Sequence, residues 1–211
     1  MENLKSISRI TLICSISLLM FFGTSKAQDY AALQKAFSES YVFEGKAEYS
    51  KAVETLKKVY DEKSYETNVR IGWLLYMSGL FTESTTFYQK AINLLPLSIE
   101  ARLGYVNPAA ALGNWDMVKT QYEEILKIDP QNSTVNYRMG NIYYGKKDYN
   151  TALKYFEKVV NLYPFDYDSV IMYAWSNFKV GKLREAKVLF NKALMNKPTD
   201  ASAKEGLSLI K

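Results

Sequence analysis

The chain has 211 residues, 48% apolar and 23% charged, with a formal net charge of +5 and a mean hydropathy of −0.21, an ordinary globular composition. It contains no histidine and one cysteine. The commonest general base and metal ligand is therefore missing, and a disulfide framework, a cysteine-based zinc site and a dithiol redox pair are excluded.

In chain order, the first feature is a leader. Lys5 and Arg9 precede an apolar run from Ile10 to Phe22. As helix that run reaches roughly 20 Å, short of the roughly 30 Å hydrocarbon core of a bilayer. It ends in Gly23-Thr24 and then Ser25-Lys26-Ala27, with small residues on both sides of Lys26 as a signal peptidase site requires. Residues 1–27 read as a cleaved secretory signal, with Gln28 as the mature N-terminus and a periplasmic or secreted destination; the alternative is an uncleaved N-terminal anchor. Cys14 lies within the run and not at the cleavage point, so a lipoprotein is not indicated and the mature chain keeps no cysteine. Without Glu2, Lys5, Arg9 and Lys26 it holds 24 basic and 21 acidic residues, with no run of five cations, so no nucleic-acid partner is expected.

Beyond the leader the sequence repeats every 34 residues. Pro96, Pro130, Pro164 and Pro198 keep that interval, as do Ser64, Ser98, Asn132, Asp166 and Asp200, all of N-cap type. The same phase gives Ala52 (offset by two), Ser84, Val118, Ala152 and Ala186. Four residues further come Leu56, Tyr88, Tyr122, Phe156 and Phe190, and three beyond those Val59, Ala91, Ile125, Val159 and Ala193. Small, large, then small or branched is one face of a helix packed closely on its neighbour. The first half of each unit has its own apolar spacing, as in Ile71, Gly72 and Leu75 or Met139, Gly140 and Tyr143. Each period predicts two antiparallel helices joined by a turn at Gly79, Gly113, Lys146-Lys147 or Gly181. Pro108 falls inside one predicted first helix, where its ring meets the carbonyl of Gly104 at a cost of about 3 kcal/mol. It reads as a static bend eased by Gly104, the alternative being a hinge that changes curvature.

This pattern resembles the tetratricopeptide repeat. Met139-Gly140, Tyr143, Ala152, Phe156 and Pro164 fall where that family places Leu-Gly, Tyr, Ala, Phe and Pro. The resemblance implies an all-α fold, a right-handed α-solenoid of helix-turn-helix repeats at 65–98, 99–132, 133–166 and 167–200, with a weaker repeat over about 31–64. Residues 201–211 fit one more helix, capped by Asp200, with Ala203 and Leu207 against the preceding repeat and a polar end.

No catalytic constellation is present. Glu123-Glu124 and Asp166 with Asp168 lie at helical or capping positions, and there is no glycine-rich phosphate loop. Asn132-Ser133-Thr134 matches a glycosylation acceptor, yet capping accounts for it. The chain is expected to be no enzyme and to hold no cofactor or metal.

By the resemblance, positions 2, 5, 9, 12 and 13 of each first helix line the concave groove. These are Gln34, Phe37, Tyr41, Glu44 and Gly45; Glu66, Val69, Trp73, Tyr76 and Met77; Glu100, Leu103, Asn107, Ala110 and Ala111; Thr134, Tyr137, Asn141, Tyr144 and Gly145; and Asp168, Ile171, Trp175, Phe178 and Lys179. Trp73, Tyr76, Asn107, Tyr137, Asn141, Tyr144, Trp175 and Phe178 are the candidate partner-binding residues. An asparagine amide both donates and accepts, so it can hold any peptide backbone, and the rings supply side-chain pockets. Packing between neighbouring helices is the competing role for the rings, above all for Phe37 and Tyr137. Family members that grip a free C-terminal carboxylate use Lys at position 5, and here that position is Phe, Val, Leu, Tyr or Ile.

The expected function is an exported adaptor that binds a protein or peptide as an extended segment or helix, monomeric alone and compatible with a membrane-bound complex. The rival readings are a structural subunit of an envelope or secretion assembly held by its convex face, and a cell-wall or glycan binder that stacks sugars on Trp73 and Trp175. Fold alone does not separate them.

Overall fold

The computed structural model describes residues 30–210, so the leader read at 1–27 lies outside the described residues. Among the described residues there are eleven helices and no strand. They are α1 (Tyr30–Glu44), α2 (Tyr49–Lys57), α3 (Tyr65–Met77), α4 (Phe81–Leu94), α5 (Ile99–Ala111), α6 (Trp115–Ile128), α7 (Ser133–Gly145), α8 (Tyr149–Leu162), α9 (Tyr167–Lys179), α10 (Leu183–Asn196) and α11 (Ala201–Leu209). None is long and apolar enough to cross a membrane.

The period is written into both ends of each hairpin. Ser64, Ser98, Asn132, Asp166 and Asp200 each precede a first helix, and their side chains accept from the backbone N–H three residues on, at 2.7–3.2 Å. That satisfies one of the orphan donors at each helix start. The turn to the second helix passes through a left-handed residue: Ala47, Gly79, Gly113, Lys147 and Gly181, with φ between 56° and 81°. Around it the Leu80 N–H donates to the Leu75 carbonyl and the Gly79 N–H to that of Tyr76, and the other turns repeat the pair. This crossing of bonds ends a helix and is open to residues that tolerate positive φ.

A side-chain clasp fixes the loop between repeats. Asn68 and Asn136 donate their amides to the carbonyls of Glu62 and Pro130, and Arg102, in the same register, donates to that of Pro96, at 2.9–3.0 Å.

The core is a row of rings from the second helices. Ala52, Ser84, Val118, Ala152 and Ala186 are buried, and so are Leu56, Tyr88, Tyr122, Phe156 and Phe190. The backbone comes close enough at some places to forbid a side chain. A Cβ on Gly140 would stand 2.6 Å from the Phe156 ring, and one on Gly104 or Gly206 would run into Tyr88 or Phe190. Gly104, read above as relief for Pro108, thus also seats a ring from the preceding repeat. Pro108 itself is buried and α5 runs through it to Ala111. The cap α11 closes the row by burying Ala203 beside Phe190, with Leu207 packed on the same cluster. Each repeat buries its faces against the next, so the core is one-dimensional.

Candidate functional site

The first helices α1, α3, α5, α7 and α9 bring the groove positions to one side. At the N-terminal end, Trp73 is half-buried, and its indole Nε1–H donates to Glu44 Oε1 at 2.5 Å. Glu44 also pairs with Arg70, 2.6 Å away, whose Nε–H donates to Ser40 Oγ and whose guanidinium lies 3.7 Å over the Tyr41 ring. Burial acts to raise the Glu44 carboxyl, but the hydrogen bonds from Trp73 and Arg70 and the Arg70 charge outweigh it, so it titrates below its ordinary value. A cavity of about 470 Å³ opens here, lined by Phe37, Tyr41, Tyr65, Glu66, Val69, Arg70, Trp73, Glu100, Leu103 and Asn107. On its edge Tyr65 donates its hydroxyl to Glu100 at 2.8 Å. Burial raises its pKa first, and the Glu100 and Glu66 charges add to that.

Asn107 also lines the next cavity. This one has about 560 Å³ and lies between repeats 3 and 4, with Val106, Ala110, Trp115, Val118, Tyr122, Asn141 and Ile142 around it. Asp116, Lys119, Arg138 and Lys146 stand at its rim. Asn107 is exposed and Asn141 half-buried, and neither amide has a hydrogen-bond partner among the described residues. Burial raises the Tyr122 hydroxyl pKa, and the Arg138 charge partly offsets it. Arg138 continues into a third hollow of about 370 Å³ with Thr134, Tyr137, Asp166 and Asp168. The three form one track along repeats 1 to 5, joined at Asn107 and Arg138.

At the C-terminal end Trp175 is half-buried and donates its Nε1–H to Ser202 Oγ of α11 at 2.8 Å. Its ring meets Phe178 at 5.5 Å and Phe190 at 4.9 Å, both edge-on. Both tryptophans therefore tie a neighbouring helix to their own repeat, and both remain half-buried.

The sequence profile of the tetratricopeptide repeat matches residues 133–166, which are α7, α8 and their flanking loops. The TPR repeat-containing protein YpiA of Bacillus subtilis (strain 168) is 25% identical over 186 residues. Residues 133–166 are a tetratricopeptide repeat, and the chain as a whole has the fold of a tetratricopeptide repeat solenoid. The match spans 85% of this chain and 43% of YpiA, so the chain covers less than half the length of that relative. In fold it is similar to a tetratricopeptide repeat protein from Parabacteroides merdae ATCC 43184, with a TM-score of 0.71 and 20% identity over 84% of this chain and 72% of that one. MamA gives a TM-score of 0.67 at 18% identity, covering 81% and 94%. YrrB, described as a TPR protein with an unusual peptide-binding site, gives 0.64 at 20% identity, covering 77% and 81%.

In repeat terms, Asn107 and Asn141 at position 9 share one cavity, and Trp73 joins Asn107 in the adjoining one. Tyr137 reaches the third hollow, its ring edge-on to Phe156 at 5.9 Å. Tyr76, Tyr144, Trp175 and Phe178 line none of these three spaces. Tyr76 packs on Phe81 and Tyr144 on Tyr149, at 5.8 and 5.1 Å. Position-based reading missed Trp115, Lys119 and Arg138, which lie outside the five groove positions. Comparing repeats would have marked Arg138, because it stands 34 residues after Gly104.

Proposed function

We propose that this chain is an exported, non-catalytic adaptor that holds a protein partner, as an extended segment or a helix, along the concave track. The observation that carries this is the pair of adjoining cavities that share Asn107, with the Asn107 and Asn141 amides unpartnered among the described residues. An idle amide beside an open cavity is a ready donor and acceptor for a peptide backbone, whatever its side chains. Half-buried rings such as Trp73 and Trp175, already fixed by their neighbours, offer apolar surface at little further entropic cost. Fold likeness to YrrB supports a peptide as the class of partner. The charged start, short apolar run and Ser25-Lys26-Ala27 support export.

One experiment in the native host tests both parts. Tagged protein is crosslinked in cells and recovered, its intact mass is read, and the retained proteins are compared across variants. The mass should begin at Gln28, and the Asn107→Ala/Asn141→Ala pair should lose partners that Val188→Ala/Met195→Ala, on the exposed side of α10, keeps. A full-length mass rejects export. Loss with the α10 pair alone moves the reading to a structural subunit docked through its second helices.

A further inference from the structure

The cavity between repeats 3 and 4 lies where two packing features seen elsewhere in the solenoid are missing. At the repeat 2–3 junction the Tyr88 ring sits on Gly104, and at the cap the Phe190 ring sits on Gly206. The same register between repeats 3 and 4 holds Arg138, and α6 packs on α7 far more sparsely than the helices meet at the other junctions. Within repeats 2 and 4 the ring that opens the second helix rests on a ring of the first, Phe81 on Tyr76 and Tyr149 on Tyr144. Repeat 3 has Ala110 in that place, so Trp115 has no ring partner among the described residues and is 61% exposed. The result is an open space with an indole on its rim and an apolar floor at Val106, Ala110 and Ile142.

Its charge is one-sided. Arg138 and Lys146 form no ion pair among the described residues, Lys119 pairs with Glu123 at 3.2 Å, and Asp116 is the one carboxylate in the lining. The adjoining cavity is the reverse, with Glu66 and Glu100 in its lining and its cation, Arg70, already paired with Glu44.

We propose that the repeat 3–4 cavity is the anchoring subsite of the groove and takes an apolar side chain next to an aspartate or glutamate side chain of the bound segment. The apolar group lies against Trp115 and Ala110, the carboxylate meets Arg138, and Asn107 and Asn141 hold the backbone between them. A bidentate guanidinium–carboxylate pair fixes the register, and the acidic linings on either side, Glu66 and Glu100 in one cavity and Asp166 and Asp168 in the other, repel the same residue and confine it to this cavity. This rests on the groove reading and adds the chemistry of the partner to it.

The test uses a phage library of random dodecapeptides fused through their C-termini, so that no terminal carboxylate is free, selected on the full-length protein. Enriched peptides should carry Asp or Glu beside an apolar residue. As amidated synthetic peptides they should bind Arg138→Glu and Trp115→Ala at least tenfold more weakly, and selection on Arg138→Glu should turn toward Lys or Arg. Both side chains are exposed, so both variants should keep the parent's helical circular dichroism and melting; Arg138→Glu alone decides the matter if Trp115→Ala does not fold. Enrichment without an acidic preference, or one that survives Arg138→Glu, overturns the subsite and leaves the groove standing. No enrichment at all overturns both.

Discussion

Lys147 occupies a backbone conformation, φ 62°, that three of the other four turns give to glycine. A side chain there costs about 1–2 kcal/mol, while glycine gives back about 0.4–1 kcal/mol through a freer unfolded chain. Lys147→Gly should therefore stabilise the protein by about 0.5–1 kcal/mol, read as a higher urea midpoint with an unchanged slope. A lower midpoint would show that the Lys147 side chain contributes more than its backbone costs. The turn was legible in the sequence because glycine recurs there at the repeat interval and the lysine pair falls in phase. The Arg70–Glu44–Trp73 cluster was not. Arg70 and Trp73 stand in repeat 2 and Glu44 in repeat 1, each at a different position of its repeat, so ladders of like positions never set the three side by side. Glu44 and Trp73 were read as groove positions, and the structure adds that each has a partner within the solenoid.

A hairpin's helices are specified locally, and how hairpins stack is not. Caps and turns depend on residues three or four apart, so Ser64, Asn132 or Gly181 announce themselves. The seat of a ring depends on a residue from the next repeat, which is why Gly104 read only as relief for Pro108. That seat carries an expectation for the cap. Phe190 is fully buried, and a Cβ on Gly206 would run into its ring, so Gly206→Ala must push the ring or α11 aside. It should cost about 1–3 kcal/mol, as overpacking does. Gly145, at the end of α7, has nothing within 4 Å of an added Cβ, and Gly145→Ala should be neutral or mildly stabilising. Thermal unfolding of the two variants side by side checks this. Equal melting would mean that α11 does not pack on Phe190 and that the solenoid ends uncapped.

Across the whole molecule, the missing histidines and the many tyrosines set how stability responds to pH. With no histidine in the chain and no cysteine among the described residues, no side chain there has an ordinary pKa between about 5 and 9. A set of half-buried and buried tyrosines along the solenoid is shifted upward. Burial raises Tyr105, Tyr122, Tyr144 and Tyr155, and lifts Tyr88 well above the ordinary tyrosine range. Tyr167 is pushed up to about 12, by burial first and then by its hydrogen bond to the Asp200 cap. A folded pKa above the unfolded one means that the native state holds its proton longer. The stability this gives is complete below pH 10 and is lost as the pH climbs through the raised values. Melting temperature should therefore be flat from about pH 6 to 9 and fall steeply between about 10 and 12. Because these tyrosines lie in every repeat from the second to the fifth, the loss should reach the whole row of helices and not one end. Tyrosinate absorbance near 295 nm, followed with far-ultraviolet circular dichroism, distinguishes the outcomes. A share of the absorbance that rises late, together with loss of helix, fits rings sealed between repeats, while exposed tyrosines such as Tyr30 and Tyr163 account for the early share. A full rise near pH 10 with the helices intact would mean that the repeats part readily enough to admit hydroxide, and that the solenoid is looser than its packing implies.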